Sequence, residues 1–215
     1  MPLKKDDMIQ ILNQLDTMFP NAGCELKYEN LYQLLIAVVL SAQTTDKAVN
    51  GVSAQLFKKF PNVYSLASSQ IDEVEPYIKR IGLARTKSKN IINLSKKIVN
   101  DFNGNIPNTL EDLMSLPGVG RKTANVVLSE GFKIQRIAVD THVERVSKRL
   151  GVCDINSSVL DVEEELMKIV PSDNYHHAHH LLLFFGRYFC TAKKPQCFKC
   201  PFVKKCVKED KNLQE

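Results

Sequence analysis

The segment Leu31-Tyr32-Gln33-Leu34-Leu35-Ile36-Ala37-Val38-Val39-Leu40 constrains the fold more than any other part of the chain. Its apolar residues recur at helical spacings of three and four, yet almost no polar face remains. A helix without a polar face has to be surrounded, so residues 31–40 are expected to form a buried central helix. The surround is legible in the same way. Met8, Ile11, Leu12, Leu15 and Phe19 form a stripe ended by Pro20, and Val52, Leu56 and Phe60 form another ended by Pro61. Further helices are expected near 64–68, 71–80, 85–102, 109–116, 121–130, 141–150, 158–170 and 174–189. Strand-like alternation is scarce. The expected class is all-α, with about ten helices, short loops and no internal repeat.

The 215 residues suffice for a sizeable core. A net charge of +5 permits a polyanionic partner without demanding one, because positive surface must be concentrated to act as a footprint. The opening Met1-Pro2-Leu3-Lys4-Lys5-Asp6-Asp7 lacks the apolar core of a signal peptide. The longest apolar run, Leu34 to Leu40, is far below the ~20 residues that span a bilayer. A soluble, intracellular monomer with no membrane partner is expected. Cys24 and Cys153 stand alone and are expected as small buried hydrophobes.

The most informative turn is Leu116-Pro117-Gly118-Val119-Gly120-Arg121-Lys122-Thr123-Ala124-Asn125-Val126-Val127. Thr109 is expected to cap the helix before it and Gly131 to close the helix after it. A Gly-x-Gly turn between two helices leaves backbone N–H groups to which a phosphate oxygen can come close. An ordinary glycine-capped turn fits as well. Arg121 and Lys122 shift the balance, because they put two cations in the first helical turn, where the dipole disfavours positive charge.

Downstream, Asp140 in Val139-Asp140-Thr141-His142-Val143 follows a short apolar run and precedes an amphipathic helix. A helix N-cap is the commonest use of such an aspartate, and a catalytic carboxylate is the other. An extended run over 132–139 spans about 25 Å at ~3.3 Å per residue, enough to return Asp140 along the helix that starts at Arg121. Finally, Cys190-x6-Cys197-x2-Cys200-x5-Cys206 brings four thiols within 17 residues. In a reducing compartment this suggests a metal. Spacing alone leaves both zinc and an iron–sulfur cluster open.

Taken together, these segments resemble the endonuclease III family of DNA glycosylases, over nearly the whole chain. The resemblance implies removal of oxidised pyrimidines from double-stranded DNA containing damaged bases, followed by cleavage 3′ to the abasic site. It implies Lys122 as nucleophile and Asp140 as catalytic carboxylate. The chemistry needs an unprotonated amine, and the helix start, adjacent Arg121 and partial burial would each disfavour the ammonium. The resemblance also implies a [4Fe–4S] cluster on Cys190, Cys197, Cys200 and Cys206, with Lys193 and Lys194 presented to phosphates from the loop between the first two. Gly118, Val119, Gly120 and Arg121 would meet DNA.

Gln43 lies in a segment similar to the one whose glutamine fills the gap left by an extruded base. Ile81-Gly82-Leu83 resembles the family's wedge loop. Without the resemblance, Gln43 reads as a surface residue and Leu83 as a core residue. His142 would line the pocket or simply pack, and His176, His177, His179 and His180 show no metal spacing. Two lobes are implied: residues 24–134 as a six-helix barrel with the hairpin at about 109–131, and residues 1–23 with 135–215 as the cluster domain. DNA would lie in the cleft between them, in the cytoplasm or nucleoid. A monofunctional mismatch glycosylase is the nearest rival. Its adenine-specific form usually carries a further C-terminal domain, whereas this chain ends nine residues after Cys206, and its thymine-specific form would lack a lysine at 122. A non-catalytic DNA-binding module is the rival from another class.

Overall fold

The computed structural model describes residues 3–214, so the leader reading at Met1 and Pro2 lies outside the described residues. No strand occurs among those described. The chain divides into two compact units, one formed by Glu25–Ile134 and the other by the stretch up to Cys24 with the stretch from Gln135 onward. The first change of unit falls one residue later than the sequence suggested.

The Glu25–Ile134 unit contains α2 (Leu31–Leu40), α3 (Asp46–Lys59), α4 (Val63–Ala67), α5 (Ile71–Ile78), α6 (Ala84–Phe102), α7 (Leu110–Met114) and α8 (Arg121–Val126). Helix α2 is the expected centre, with every residue from Tyr32 to Leu40 buried. Asn30 caps it by accepting the Gln33 N–H at 3.0 Å. Around it gather Val49 and Leu56 of α3, Leu66 of α4, Val74 and Ile78 of α5, Ile91 and Ile98 of α6, and Leu113 of α7. This apolar burial is what holds the unit together.

Helix α8 does not end as the sequence suggested. It runs into a π-helical turn, Val127–Gly131. Gly131 keeps a negative φ, and the left-handed residue is Lys133 at φ 58°. Glycine is needed at 131 for space: a Cβ there would lie 2.5 Å from Leu31 Cδ2 and 3.0 Å from Leu34 Cδ2. Gly131→Ala is therefore expected to overpack the α2 contact and cost about 1–3 kcal/mol, measured as a lower denaturant midpoint.

The second unit joins the first helix to the last ones. It contains α1 (Lys5–Met18), α9 (Thr141–Arg149), α10 (Val159–Ile169) and α11 (Tyr175–Phe184). Met8, Ile11, Leu12 and Leu15 of α1 share one core with Val143 and Val146, Val162 and Leu166, and Leu181, Leu182 and Phe185. A second π-helical turn, Phe185–Phe189, carries α11 to Cys190. Phe185 stacks on Phe189 with ring centres 5.2 Å apart and meets Phe202 edge-on at 5.5 Å. Gly186 lets this turn approach α9, since a Cβ would lie 2.9 Å from His142 Cβ and 3.0 Å from its carbonyl oxygen. Cys24 and Cys153 are half-buried, less enclosed than expected. No helix among the described residues is long and apolar enough to cross a membrane.

Candidate nucleic-acid interface and catalytic residues

The hairpin between α7 and α8 forms as the turn chemistry dictates. Thr109 caps α7 by accepting the Asp112 N–H at 3.1 Å. The chain then reverses at Gly118, whose φ of +80° suits glycine alone, and a Cβ there would meet Asn90 at 3.0 Å. Gly120 is different. Its φ of −93° is open to any residue, but a Cβ would point into empty space, so its absence leaves the backbone approachable. Val119 is 6 % exposed and its N–H bonds the Leu116 carbonyl at 3.1 Å, so it anchors the turn instead of facing outward. No side chain caps α8 at Gly120. The first-turn N–H groups of Lys122 and Thr123 thus have no intrahelical acceptor. Arg121 is half-buried, and Lys122 is exposed, not partly buried as expected.

In the other unit, Asp140 is the N-cap of α9. Its Oδ1 accepts the N–H groups of His142 and Val143 at 2.9 and 2.8 Å. Its Oδ2 lies 3.0 Å from His142 Nδ1. Burial works against the charge on this carboxyl. The Val143 N–H and the His142 ring outweigh it, with a contribution from His179, and hold the group below its ordinary value. Asp140 is thus an ionised carboxylate in a fixed orientation at neutral pH, with His142 as its partner. Of the neighbouring histidines, His179 and His180 are buried in α11, with ring centres 4.9 Å apart, and His177 pairs with Asp16 at 2.7 Å.

Gln43 and Leu83 share an unusual backbone. Both adopt the left-handed conformation, at φ 54° and 59°, although neither is glycine. That costs about 1–2 kcal/mol each. Leu83 is also 62 % exposed, so it is no core residue. Gln43 is exposed as well. Strain and exposed apolar surface at the same place point to use outside the fold itself.

The four C-terminal cysteines converge. Cys190, Cys197, Cys200 and Cys206 line one cavity walled by Leu150, Phe185 and Phe202. All four are free thiols. Burial pushes the Cys200 thiol up to about 11, and the three other sulfurs add to the shift. Four sulfurs converging on one cavity are a donor set that a bound cation would take up. Arg149 donates to Cys190 Sγ at 3.3 Å and to the Thr191 and Ala192 carbonyls at 2.8 and 3.2 Å. Those bonds fix the start of the loop bearing the exposed Lys193 and Lys194. Arg145 donates to the Gly186 carbonyl at 2.7 Å.

The structure thus gathers Gly118–Lys122, Gln43 and Leu83 in one unit, and Asp140, His142, the four cysteines and the lysine loop in the other. Sequence reasoning missed Arg145, Arg149 and Lys87. The signal for Lys87 was available: it falls in register with Ile91, Leu94 and Ile98 on the buried stripe of α6.

Residues 36–172 match the model of the HhH-GPD superfamily base excision DNA repair proteins. The chain is 50% identical over 195 residues to endonuclease III of Bacillus subtilis strain 168, covering 91% of this chain and 89% of the relative. It is 39% identical over 209 residues to endonuclease III of Escherichia coli strain K12, covering 97% and 99%. Among solved structures, a trapped endonuclease III–DNA covalent intermediate, an estranged-adenine complex, superposes with a TM-score of 0.92. That match has 49% identity and covers 95% of this chain and 96% of the other. The chain belongs to the HhH-GPD superfamily and, within it, to the endonuclease III family.

Proposed function

We propose that this protein is a bifunctional DNA N-glycosylase and abasic-site lyase that excises oxidised pyrimidines from duplex DNA. The observation that carries the reading is Lys122: an exposed amine at an uncapped helix start, beside a turn in which Gly120 leaves the backbone open. A phosphate backbone supplies the negative charge that this cationic helix start lacks. The match to a covalently trapped enzyme–DNA complex supports an enzyme that bonds to its substrate.

The Lys122 nitrogen forms a bond to C1′ of the sugar while the damaged base leaves with the electrons of its glycosidic bond and takes up a proton. The ionised Asp140 stabilises the positive charge that develops on the sugar. The nitrogen gives up a proton, the C1′–O4′ bond breaks with O4′ taking its electron pair and a proton, and the resulting ring-opened iminium acidifies the C2′ proton. Loss of that proton expels the 3′ phosphate with its electron pair, and water then releases Lys122. Gln43 and Leu83 take the space of the extruded nucleotide, which has to leave the stack before any of this occurs. The protein works on the DNA of the cytoplasm or nucleoid.

Cys190, Cys197, Cys200 and Cys206 would hold a [4Fe–4S] cluster. Bound there, it would contribute structure, with these four cysteines pinning the loop that offers Lys193 and Lys194 to phosphates. Protein prepared anaerobically is expected to absorb in the visible and to contain iron and sulfide; stoichiometric zinc instead would refute the assignment. The catalytic reading is tested on a duplex with one oxidised pyrimidine. Release of the base with a cut on its 3′ side is expected, whereas binding without cleavage would leave only a DNA-binding module.

A further inference from the structure

We propose that Lys87 is a positioning residue that locks the two loops bearing Gln43 and Leu83 into their strained conformations. The inference rests on the reading of those residues as the pair that replaces an extruded base. Lys87 lies one turn into α6, the helix that starts immediately after Leu83, and its backbone N–H closes that turn on the Leu83 carbonyl at 2.9 Å. Its side chain runs the other way. Nζ donates to the Leu40 carbonyl at 2.9 Å, at the end of α2, and to Thr44 Oγ1 at 2.5 Å. The Thr44 hydroxyl donates in turn to the Ala42 carbonyl at 3.4 Å, so these bonds bracket Gln43 on both sides.

The chemistry of the contact is unusual. Lys87 is 5 % exposed and sits on the apolar stripe of α6, where a leucine or isoleucine would serve the core. Both partners of its ammonium are neutral, and burial pushes its pKa down. A buried cation answered only by a carbonyl and a hydroxyl is costly compared with apolar filling. What it provides in return is three directed donors on one point, aimed at a loop that has no glycine to relax its left-handed residue. Donor bonds from a charged group are stronger than neutral ones and hold their acceptors in place. One residue thereby reaches both strained loops, through its backbone on one side and its side chain on the other.

The test compares two reactions of each variant. One is release of an oxidised pyrimidine from a fully paired duplex, which requires extrusion. The other is cleavage of a single-stranded oligonucleotide with an abasic site, which does not. Lys87→Met keeps the apolar stem and removes the donors, and Thr44→Val removes the acceptor in the loop together with its long bond to the Ala42 carbonyl. Both are expected to slow duplex excision by about tenfold or more while leaving single-strand cleavage within about twofold. Equal losses on both substrates, or no loss on the duplex, would overturn the inference. Thr44→Val gives the answer if Lys87→Met fails to fold. Gln43→Ala separates the premise from the inference. If it shows no duplex-specific loss, the replacement reading itself falls, together with the inference; if it does and the Lys87 and Thr44 variants do not, only the inference falls.

Discussion

Replacing Lys122 with alanine is expected to remove strand cleavage almost entirely, by roughly four orders of magnitude or more, while leaving the fold intact. The two halves of this expectation have separate physical grounds. Loss of the nucleophile removes the covalent path outright, and no neighbouring amine shares its place at the helix start. Stability should change by less than about 0.5 kcal/mol, because Lys122 is exposed and alanine is the better helix former. Removing a cation from the positive end of the helix dipole works in the same direction. Single-turnover cleavage of an abasic duplex measures the first half, and a urea titration the second. DNA affinity should fall only modestly, because one cation among several is removed.

Asp140→Asn should separate two roles that the sequence alone leaves entangled. Asparagine caps a helix about as well as aspartate, so Oδ1 continues to accept from the N–H groups of His142 and Val143. The stability loss is expected below about 1 kcal/mol, and smaller than for Asp140→Ala, which removes the cap as well. Activity is expected to fall by about 10²–10³ if Asp140 is the charge that stabilises the developing cation. Wild-type activity in the asparagine variant would make Asp140 a cap and nothing more. The pH dependence follows from the direction of the shift. The folded carboxyl titrates below its usual 3.8, so the stability contributed by its charge is fully present above that value. It is lost as the pH falls through the lower folded value, and the stability curves of wild type and Asp140→Asn should converge there.

Much of this molecule is legible before any coordinate is known, for reasons that can be named. The helix over 31–40 and the stripes of α1 and α6 appear because burial imposes a period of 3.6 on apolar side chains. Thr109 and Asp140 are readable as caps because only short polar side chains reach the free N–H groups. The π-helical turns at Val127–Gly131 and Phe185–Phe189 are not readable, because one shifted backbone hydrogen bond leaves no mark on side-chain periodicity. The glycines mislead in an instructive way. Gly118 is required for its φ, Gly131 for the space beside Leu31, and Gly120 for neither, yet all three look alike in sequence. The left-handed backbone at Gln43 and Leu83 is equally hidden, since strain is borne by residue types that do not advertise it. The burial of Lys87 is readable from its register on α6, although lysine is ordinarily a surface residue.

A bond between the Lys122 nitrogen and the sugar can be captured chemically. Borohydride added during reaction with an oxidised-pyrimidine duplex should reduce the imine to a stable amine and leave protein and DNA joined. Digestion and mass spectrometry of the conjugate should then place the sugar remnant on Lys122. An adduct mapped to any other amine, or efficient strand cleavage with no adduct trapped, would contradict the account.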